Sequence, residues 1–234
     1  MSRSFDGVDD TISFGNPFNM GTSDWSVLCW FNPVSVATSK TLVRKGDGFS
    51  PTPTWLLRTV GANLHGLIFL DGSNSIGITG STTISTAGIW YHAAITFDRD
   101  GNMSLYLNGN SDATPVSIAS GSAWNITTTD FGGIGCYFDG TPNTAFEFFN
   151  GKIAHAQIFR RVLSLSEIKQ LMNFPGSISG PNLLAYWPLW GGSIEGDYSG
   201  NNKGGTVTGA TVSQDNPPIN GIFTVPKPEL IHAF

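Results

Sequence analysis

Short runs of apolar residues recur along the chain, and turn-forming residues separate them. The segment 91–97 alternates in the manner of a strand with two distinct faces. The turn 98–102 includes Gly101, and a second run follows at 103–107, so these residues predict a β-hairpin. Runs of the same kind predict further strands at 11–14, 25–31, 41–45, 54–60, 64–70 and 151–161.

Several side chains within these runs carry specific expectations. His92 lies in the first strand of the hairpin, and we expect it to be packed and hydrogen-bonded there rather than to act as a ligand or a base. Trp30, Trp90 and Trp187 lie in the middle of apolar runs, and we expect them in the core.

One segment has the pattern of a helix. Ser164 and Glu167 have the spacing of a capping box, in which the serine is the N-cap and the glutamate occupies the third helical position. The apolar residues that follow share one face, and a proline ends the segment; these are Leu165, Ile168, Leu171, Met172 and Pro175.

Composition supports an all-β chain with many tight turns. The 234 residues include 29 Gly and 13 Pro, and only 12% are charged. Aromatic residues make up 12% of the chain, enough for a sizeable core. Lys and Arg number 12 against 17 Asp and Glu without forming a basic segment, so we expect no nucleic-acid partner. No run is long and apolar enough for membrane insertion, and no apolar signal region begins the chain.

The two cysteines do not form a disulfide framework. Cys29 lies in an apolar run, and Cys136 follows Ile134 and Gly135. We expect two buried free thiols, with a single bridge between them as the alternative.

Longer motifs resemble a known family. Near the amino terminus stands SFDGVDDTISF (4–14), and near the carboxyl terminus stand LLAYWPL (183–189) and DYSGNN (197–202). Together with WYHAAITFD (90–98), LYLNG (105–109) and the strand and helix of 151–168, these stretches resemble the laminin-G-like, concanavalin-A-like jelly-roll family, which is related to the pentraxins. In many relatives the LxAYWPL stretch precedes the FDGVDD stretch, so the reversed order resembles a circular permutation.

The resemblance implies a fold and a domain boundary. We expect a two-sheet antiparallel jelly-roll sandwich with one short helix over residues 1–212, whose two ends lie on neighbouring strands. Residues 213–234 are rich in proline, which cannot donate to a sheet ladder, so they form a disordered end or a docking arm. The apolar residues that would form an assembly arm are Phe223, Leu230, Ile231 and Phe234.

The sequence lacks the carboxylate pattern of a glycosidase, and we predict that the protein is not an enzyme. Glycoside hydrolysis needs two carboxyl groups flanking the bond, and hydrolases of this fold usually place them in an ExDxxE stretch. The four glutamates are Glu147, Glu167, Glu195 and Glu229, and none lies in such a stretch.

The resemblance also bears on metal and sugar sites. Asp47 and Asp139 match two calcium-ligand positions of pentraxin-like relatives, but Tyr137 and Phe138 occupy the intervening ligand positions. We therefore favour no metal, with one calcium on Asp47 and Asp139 as the alternative. A sugar site needs exposed aromatic rings beside hydrogen-bonding groups, and the candidate ligand-binding residues are Trp55, Tyr137, Asp47, Asp139 and Asn143.

The predicted function is non-catalytic binding or assembly. The first hypothesis is a virion surface component, such as a phage capsid decoration or fibre protein, located on the virion surface. Its partners would be other protein subunits, including a homo-oligomer, and cell-surface glycans. The alternative is a free, extracellular, lectin-like carbohydrate-binding module, and a glycoside hydrolase is a distant third.

Overall fold

Two large antiparallel sheets pack face to face and confirm the predicted jelly-roll sandwich. The computed structural model describes residues 1–35, 39–47, 52–70, 74–139 and 144–220. Within these residues the chain contains one α-helix, α1 (Leu165–Asn173), and a short 3-10 helix, Ala119–Gly121.

The strands follow in chain order: β1 (Ser2–Asp6), β2 (Thr11–Gly15), β3 (Trp25–Pro33), β4 (Lys40–Lys45), β5 (Thr54–Val60), β6 (Asn63–Phe69), β7 (Ser75–Thr79), β8 (Tyr91–Phe97), β9 (Asn102–Leu107), β10 (Asn110–Ser111), β11 (Val116–Ser117), β12 (Gly132–Ile134), β13 (Tyr137–Phe138), β14 (Ala145–Phe146), β15 (Asn150–Phe159), β16 (Leu183–Trp187), β17 (Ile194–Glu195), β18 (Gly205–Thr208) and β19 (Thr211–Ser213).

Strand order divides the chain between the two sheets. The nine-stranded sheet has the order β10-β9-β8-β3-β15-β1-β19, with β11 also paired to β9 and β16 also paired to β15. The eight-stranded sheet has the order β17-β18-β2-β12-β4-β5-β6-β7, and β13 and β14 form a separate two-stranded hairpin. The predicted hairpin is confirmed, because β8 and β9 pair antiparallel with Phe97 opposite Met103.

The core between the sheets is built on aromatic stacks. Trp25 stacks on Phe97 with ring centroids 4.3 Å apart, and Trp187 stacks on Phe14 at 5.2 Å. Trp187 is thus in the core as predicted, whereas the prediction for Trp90 is wrong. Trp90 immediately precedes β8 and is only partly buried, because its indole Nε1 faces outward and donates to Asp215 at 3.2 Å.

The helix covers the outer face of the nine-stranded sheet. Its capping box is formed as predicted, with the Ser164 hydroxyl accepting from the Glu167 amide. Ile168 and Leu171 are fully buried, whereas Leu165 at the start of the helix is 41% exposed. The helix shares a second apolar cluster with outward-facing sheet residues, which include Leu28, Ala94 and Phe159. Trp30 also faces this side, is buried, and donates from Nε1 to the Met172 carbonyl at 3.1 Å.

The first and the last described strand of the chain lie side by side, as the resemblance implies. β1 pairs antiparallel with β19, with Ser2 opposite Ser213. The buried Arg3 and Glu195 side chains form an ion pair at 2.9 Å, which ties the first strand to the carboxyl-terminal region.

The described part of the predicted tail is held against the sandwich. The Asp215 carboxylate accepts from Lys152 at 2.7 Å, and Asn220 bonds to Asn173 at the end of α1. The predicted arm residues Phe223, Leu230, Ile231 and Phe234 lie outside the described residues.

Two predictions about buried side chains have different outcomes. Cys29 and Cys136 are buried and free, as expected, and burial raises the pKa of both thiols. His92 is buried against Trp30, but neither ring nitrogen has a hydrogen-bond partner, so the predicted hydrogen bond is wrong. Burial lowers the pKa of His92 to about 3.

The described residues contain no helix that is long and apolar enough to cross a membrane.

Candidate functional site

The outer face of the eight-stranded sheet carries polar and charged side chains. Trp55 and Leu57 of β5 belong to the core between the sheets, so Leu56 and Arg58, which alternate with them, face outward. Register places Arg44 of β4 opposite Leu56, and Arg44 therefore shares this outer face.

The β13–β14 hairpin packs on this face through aromatic contacts. The Arg44 guanidinium carbon lies 3.9 Å from the centroid of the Tyr137 ring. Tyr137 in turn stacks on Phe146, with centroids 5.4 Å apart. Phe146 remains 41% exposed, so an apolar ring surface stands at the outer edge of this stack.

A cavity of about 140 Å³ lies between the hairpin and the sheet. We call it the charged cavity, because two arginines and two carboxylates line it together with aromatic and aliphatic side chains: Arg44, Arg58, Asp47, Glu147, Tyr137, Phe69, Leu56 and Leu67. Its charged groups come from three separate stretches of chain: the end of β4 with the residues just after it, the middle of β5 and the residue after β14.

Glu147 is the centre of the polar network in the charged cavity. Its carboxylate lies 2.8 Å from Nη1 of Arg58 and 3.8 Å from Nη1 of Arg44, and it accepts from the Thr41 hydroxyl at 3.0 Å. The backbone of Glu147 has a φ of 51°, in the left-handed region that non-glycine residues rarely adopt. The carbonyl of the same residue accepts from the Thr41 amide at 3.1 Å, so strand β4 holds this conformation in place.

The two arginines are held differently. Arg44 is buried; its Nε donates to the Gly46 carbonyl at 2.9 Å, its Nη2 donates to the Asp47 carbonyl, and burial lowers its pKa to about 10. Arg58 keeps 21% of its side chain exposed. The Arg58 Nε donates to Nδ1 of His65 at 3.4 Å, and burial together with this guanidinium lowers the pKa of His65 to about 4. Burial raises the pKa of Tyr137.

A second and larger depression of about 440 Å³ lies on the same face, over β18 and β2. We call it the threonine groove, because hydroxyl side chains line it beside three phenylalanines and two glycines: Thr11, Ser13, Thr206, Thr208, Phe14, Phe131, Phe138, Gly15 and Gly204. Thr206 pairs with Ser13 and Thr208 with Thr11, so the four hydroxyl residues form two adjacent pairs. The consecutive residues Tyr137 and Phe138 line the charged cavity and the threonine groove respectively, so the two depressions adjoin at β13.

The structure brings together two of the five predicted ligand-binding residues. Tyr137 and Asp47 both line the charged cavity. Trp55 is only 1% exposed and belongs to the core, so its predicted role as a sugar-stacking residue is wrong. Asp139 is exposed beyond β13 and lines neither depression, and Asn143 lies outside the described residues.

The alternative calcium site gains no support from the carboxylates near it. Among the residues that the structure describes, carboxylates gather in threes only at Asp6, Asp9 and Asp10 and at Asp24, Asp98 and Asp100. Neither group includes Asp47 or Asp139. One carboxylate oxygen of Asp47 instead accepts from the Thr52 hydroxyl at 2.7 Å.

Several lining residues escaped the sequence analysis. Arg44 and Arg58 lie within predicted strands, and a charged residue between apolar ones indicates a position on the outward face. Glu147 was considered only as a catalytic carboxylate. Phe146 and the hydroxyl residues of β18 give no local signal, because only the packing of distant strands brings them to this face.

Solved structures share this fold. A protein from Bacteroides ovatus that is described as carbohydrate-binding superposes with a TM-score of 0.68 at 20% identity, over 93% of this chain and 60% of that one. The heptameric SAP-like pentraxin of Limulus polyphemus gives 0.56 at 17% identity, over 73% and 80%. The CBM40 module of Ruminococcus gnavus IT-sialidase, bound to alpha2,3 sialyllactose, gives 0.53 at 13% identity, over 73% and 97%. At these identities the likeness concerns the fold alone.

Sequence comparison identifies the family. No curated protein matches the chain by sequence. A family model matches residues 6–169 and ends before the segment 183–189, so the circular permutation remains a prediction. The match extends over more than half of the 234 residues, and the chain therefore belongs to the concanavalin A-like lectin/glucanases superfamily, as the motifs indicated.

Proposed function

We propose that the protein is a non-catalytic carbohydrate-binding module that binds glycans on the outer face of its eight-stranded sheet. The observation that carries this proposal is the threonine groove. Its volume of about 440 Å³ falls within the range of small-molecule sites, roughly 300–1,000 Å³. The charged cavity, at about 140 Å³, is too small to hold a whole sugar ring with its substituents.

The side chains of the groove suit a sugar. Each serine or threonine hydroxyl donates one hydrogen bond and accepts others, which matches the hydroxyls of a glycan. Thr206 and Thr208 are exposed, and Phe131 is partly exposed and adds an apolar surface for the C–H face of a sugar ring. Because the groove is open along the sheet, it suits one or more units of a longer chain.

The positions of the glutamates support binding without catalysis. Glu167 caps α1, Glu195 is buried against Arg3, and Glu147 is engaged by Arg58. No carboxylate is among the residues that line the threonine groove in the described part of the chain. The threonine groove, as described, therefore lacks the pair of carboxyl groups that would flank a bound glycosidic bond in a hydrolase.

The structural neighbours favour the carbohydrate-binding alternative over the virion-surface hypothesis. Of the three solved structures named above, one is described as carbohydrate-binding and another contains a bound glycan. The virion role, and the subunit partners it requires, remain predictions, and the arm residues proposed for assembly lie outside the described part of the chain. An extracellular location agrees with the proposed activity.

The proposal is tested by screening the protein on a glycan array and measuring the hits by isothermal titration calorimetry. Thr206→Arg would fill the groove with a long side chain, and we expect it to weaken binding at least about tenfold, or about 1.4 kcal/mol. Thr211→Arg is the matched control, because Thr211 is an exposed strand threonine of β19 outside the groove. Absence of glycan binding by the wild-type protein, or equal binding by both variants, would contradict the proposal.

A further inference from the structure

The charged cavity offers a donor and an acceptor side by side at its wall. The Arg58 and Glu147 side chains are 21% and 23% exposed, and their closest atoms are 2.8 Å apart. Each group has bonding capacity beyond this contact, since a guanidinium has five N–H donors and a carboxylate about four acceptor positions. Of the Arg58 donors, Nε contacts His65 and Nη1 contacts Glu147.

The formal charges of the cavity balance. Two arginines, Arg44 and Arg58, stand against two carboxylates, Asp47 and Glu147. An anionic sugar substituent would have to compete with Glu147 for Arg58 and would gain little from a neutral site. A hydroxyl group can accept from the guanidinium while a neighbouring hydroxyl donates to the carboxylate, and charge-assisted bonds of this kind are stronger than neutral ones.

An apolar surface stands next to the polar pair. Phe146, the residue before Glu147, is 41% exposed and stacks on Tyr137 of the cavity wall. A sugar ring has hydroxyl groups around its edge and C–H groups on its faces. Through Tyr137, Phe146 flanks the wall of the cavity that holds the Arg58–Glu147 pair, so the polar and apolar surfaces suit the edge and the face of one sugar unit.

The volume of the cavity limits what can enter it. A volume of about 140 Å³ corresponds to about five water molecules at the bulk share of ~30 Å³ each. It admits the edge of a sugar ring but not the whole ring.

We propose that the charged cavity binds a vicinal diol of a neutral sugar, with Arg58 donating to one hydroxyl, Glu147 accepting from its neighbour and Phe146 packing on the ring. This assignment rests on the proposed glycan-binding function and specifies its ligand class. It makes the charged cavity a selective subsite beside the threonine groove.

The test uses mannan, dextran and arabinoxylan as neutral probes and polygalacturonate as an acidic one. Each neutral polymer is tested intact and after periodate oxidation, which cleaves the carbon–carbon bond of vicinal diols, followed by borohydride reduction of the resulting aldehydes. We expect binding to at least one intact neutral polymer, a loss of at least about tenfold after oxidation, and a change of less than about twofold between low and high salt. Binding to polygalacturonate alone, or affinity that survives oxidation, would overturn the assignment and leave the glycan-binding function intact.

Variants assign the effect to the cavity. The double variant Arg58→Gln/Glu147→Gln removes one positive and one negative charge, so the net charge of the cavity stays zero. We expect this variant to bind the intact polymer at least about tenfold more weakly, which equals about 1.4 kcal/mol. The control is Arg160→Gln, because Arg160 is exposed and lies outside both depressions. Thermal unfolding of each variant verifies folding, and Phe146→Ala, an exposed position, tests the same subsite without disturbing the ion pairs.

The outcomes separate the two proposals. If Thr206→Arg abolishes binding while the cavity variants bind like wild type, the groove binds the glycan and the cavity assignment is wrong. If the wild-type protein binds no polymer in any form, the cavity assignment is wrong; if it also binds no glycan on the array, the proposed function is wrong as well.

Discussion

The outer faces of the two sheets differ in what covers them. On the nine-stranded sheet, the outward residues Leu28, Ala94 and Phe159 are buried under α1 by Ile168 and Leu171. On the eight-stranded sheet, the outward residues include Arg58, Ser13 and Thr206, and the β13–β14 hairpin lies against part of that face. We call these the covered face and the open face.

The covered face contributes to the stability of the fold, whereas the open face offers groups for binding. Apolar area removed from water contributes roughly 25 cal/mol per Å², so α1 stabilises the sandwich by burying the covered face. Partly exposed polar groups contribute little to stability but remain available to a ligand. The fold is therefore closed by a helix on one side and keeps its polar side chains accessible on the other.

The largest expected effect comes from removing strands on which both faces depend. Deletion of residues 183–213 removes β16 and β19 from the nine-stranded sheet and β17 and β18 from the eight-stranded sheet. It also removes Trp187, which stacks on Phe14, and Glu195, which pairs with the buried Arg3. We expect complete loss of the folded state, because unpaired strand edges and a buried charge would remain. Circular dichroism and limited proteolysis measure this.

The matched deletion removes only residues 221–234. The last paired strand ends at Ser213, and the contacts of Asp215 and Asn220 stay in place, so we expect the folded state to be retained. A folded, soluble protein without residues 183–213 would show that neither face needs the carboxyl-terminal strands, and it would contradict the predicted domain boundary at residue 212.

The second prediction compares one leucine on each face. Leu171→Ala empties a fully buried site under α1 and should lower the free energy of unfolding by about 2–5 kcal/mol. Leu67→Ala on the open face truncates a partly buried side chain in the charged cavity and should cost less stability. Urea denaturation gives the stabilities, and calorimetry with the bound glycan gives the affinities. Equal losses of stability, or weaker glycan binding by Leu171→Ala alone, would remove the distinction between the faces.

The covered face was largely predictable from sequence. The capping box at Ser164 and Glu167 and the 98–102 turn are local patterns, in which a few neighbouring residues fix the backbone. The family motifs extended these patterns to the pairing of the two ends. His92 was expected to be hydrogen-bonded, but the apolar packing of Trp30 beside it supplies no partner, which no local pattern reveals.

The open face was predicted less well. Tyr137 and Asp47 were found because the family resemblance drew attention to their loops. Trp55 was misassigned, because alternation shows that a strand has two faces but does not say which one meets the core. Glu147 and Arg58 lie far apart in sequence, and their contact at 2.8 Å follows from how β14 and β5 are placed in three dimensions.

The third prediction compares the histidines of the two faces through the stability of the protein at acid pH. On the covered side, burial lowers the pKa of both His92 and His155 to about 3, whereas the half-buried His65 on the open face has a pKa of about 4. All three lie below the unfolded value, so the unfolded state binds more protons and stability falls as pH decreases below about 6.5. At pH 4.5 each fully buried imidazole should cost about 2 kcal/mol relative to pH 7.

Substitution of one histidine on each face shows which face causes the loss of stability at acid pH. His92→Phe removes one titrating ring and its two unpartnered nitrogens, so it should reduce the pH dependence between pH 7 and 4.5 by the His92 share, leave the His155 share in place and cause no loss of stability at pH 7. His65→Gln should change the dependence less, because His65 is partly solvated. If His65→Gln changes the pH dependence of stability more than His92→Phe does, the open face rather than the covered face causes the acid sensitivity.

The smallest expected effect concerns Lys45, which lies next to Arg44 but on the opposite side of the same strand. Arg44 faces the open side, whereas Lys45 is 1% exposed and donates from Nζ to the Asn16 side chain at 2.6 Å and to the Asp130 carbonyl. Burial lowers the pKa of Lys45 to about 8, below its ordinary 10.5. The unfolded state therefore binds more protons at Lys45 between these values, so Lys45 contributes a rise in stability of about 1–2 kcal/mol from about pH 8 to 10. The buried thiols Cys29 and Cys136, whose pKa is raised, contribute a fall over the same range. In urea denaturation, Lys45→Met should therefore lose stability more steeply than the wild type between about pH 8 and 10, and Lys203→Met, at an exposed position, should follow the wild type. If Lys45→Met has the same pH dependence as the wild type, the Lys45 ammonium is not desolvated in the folded state.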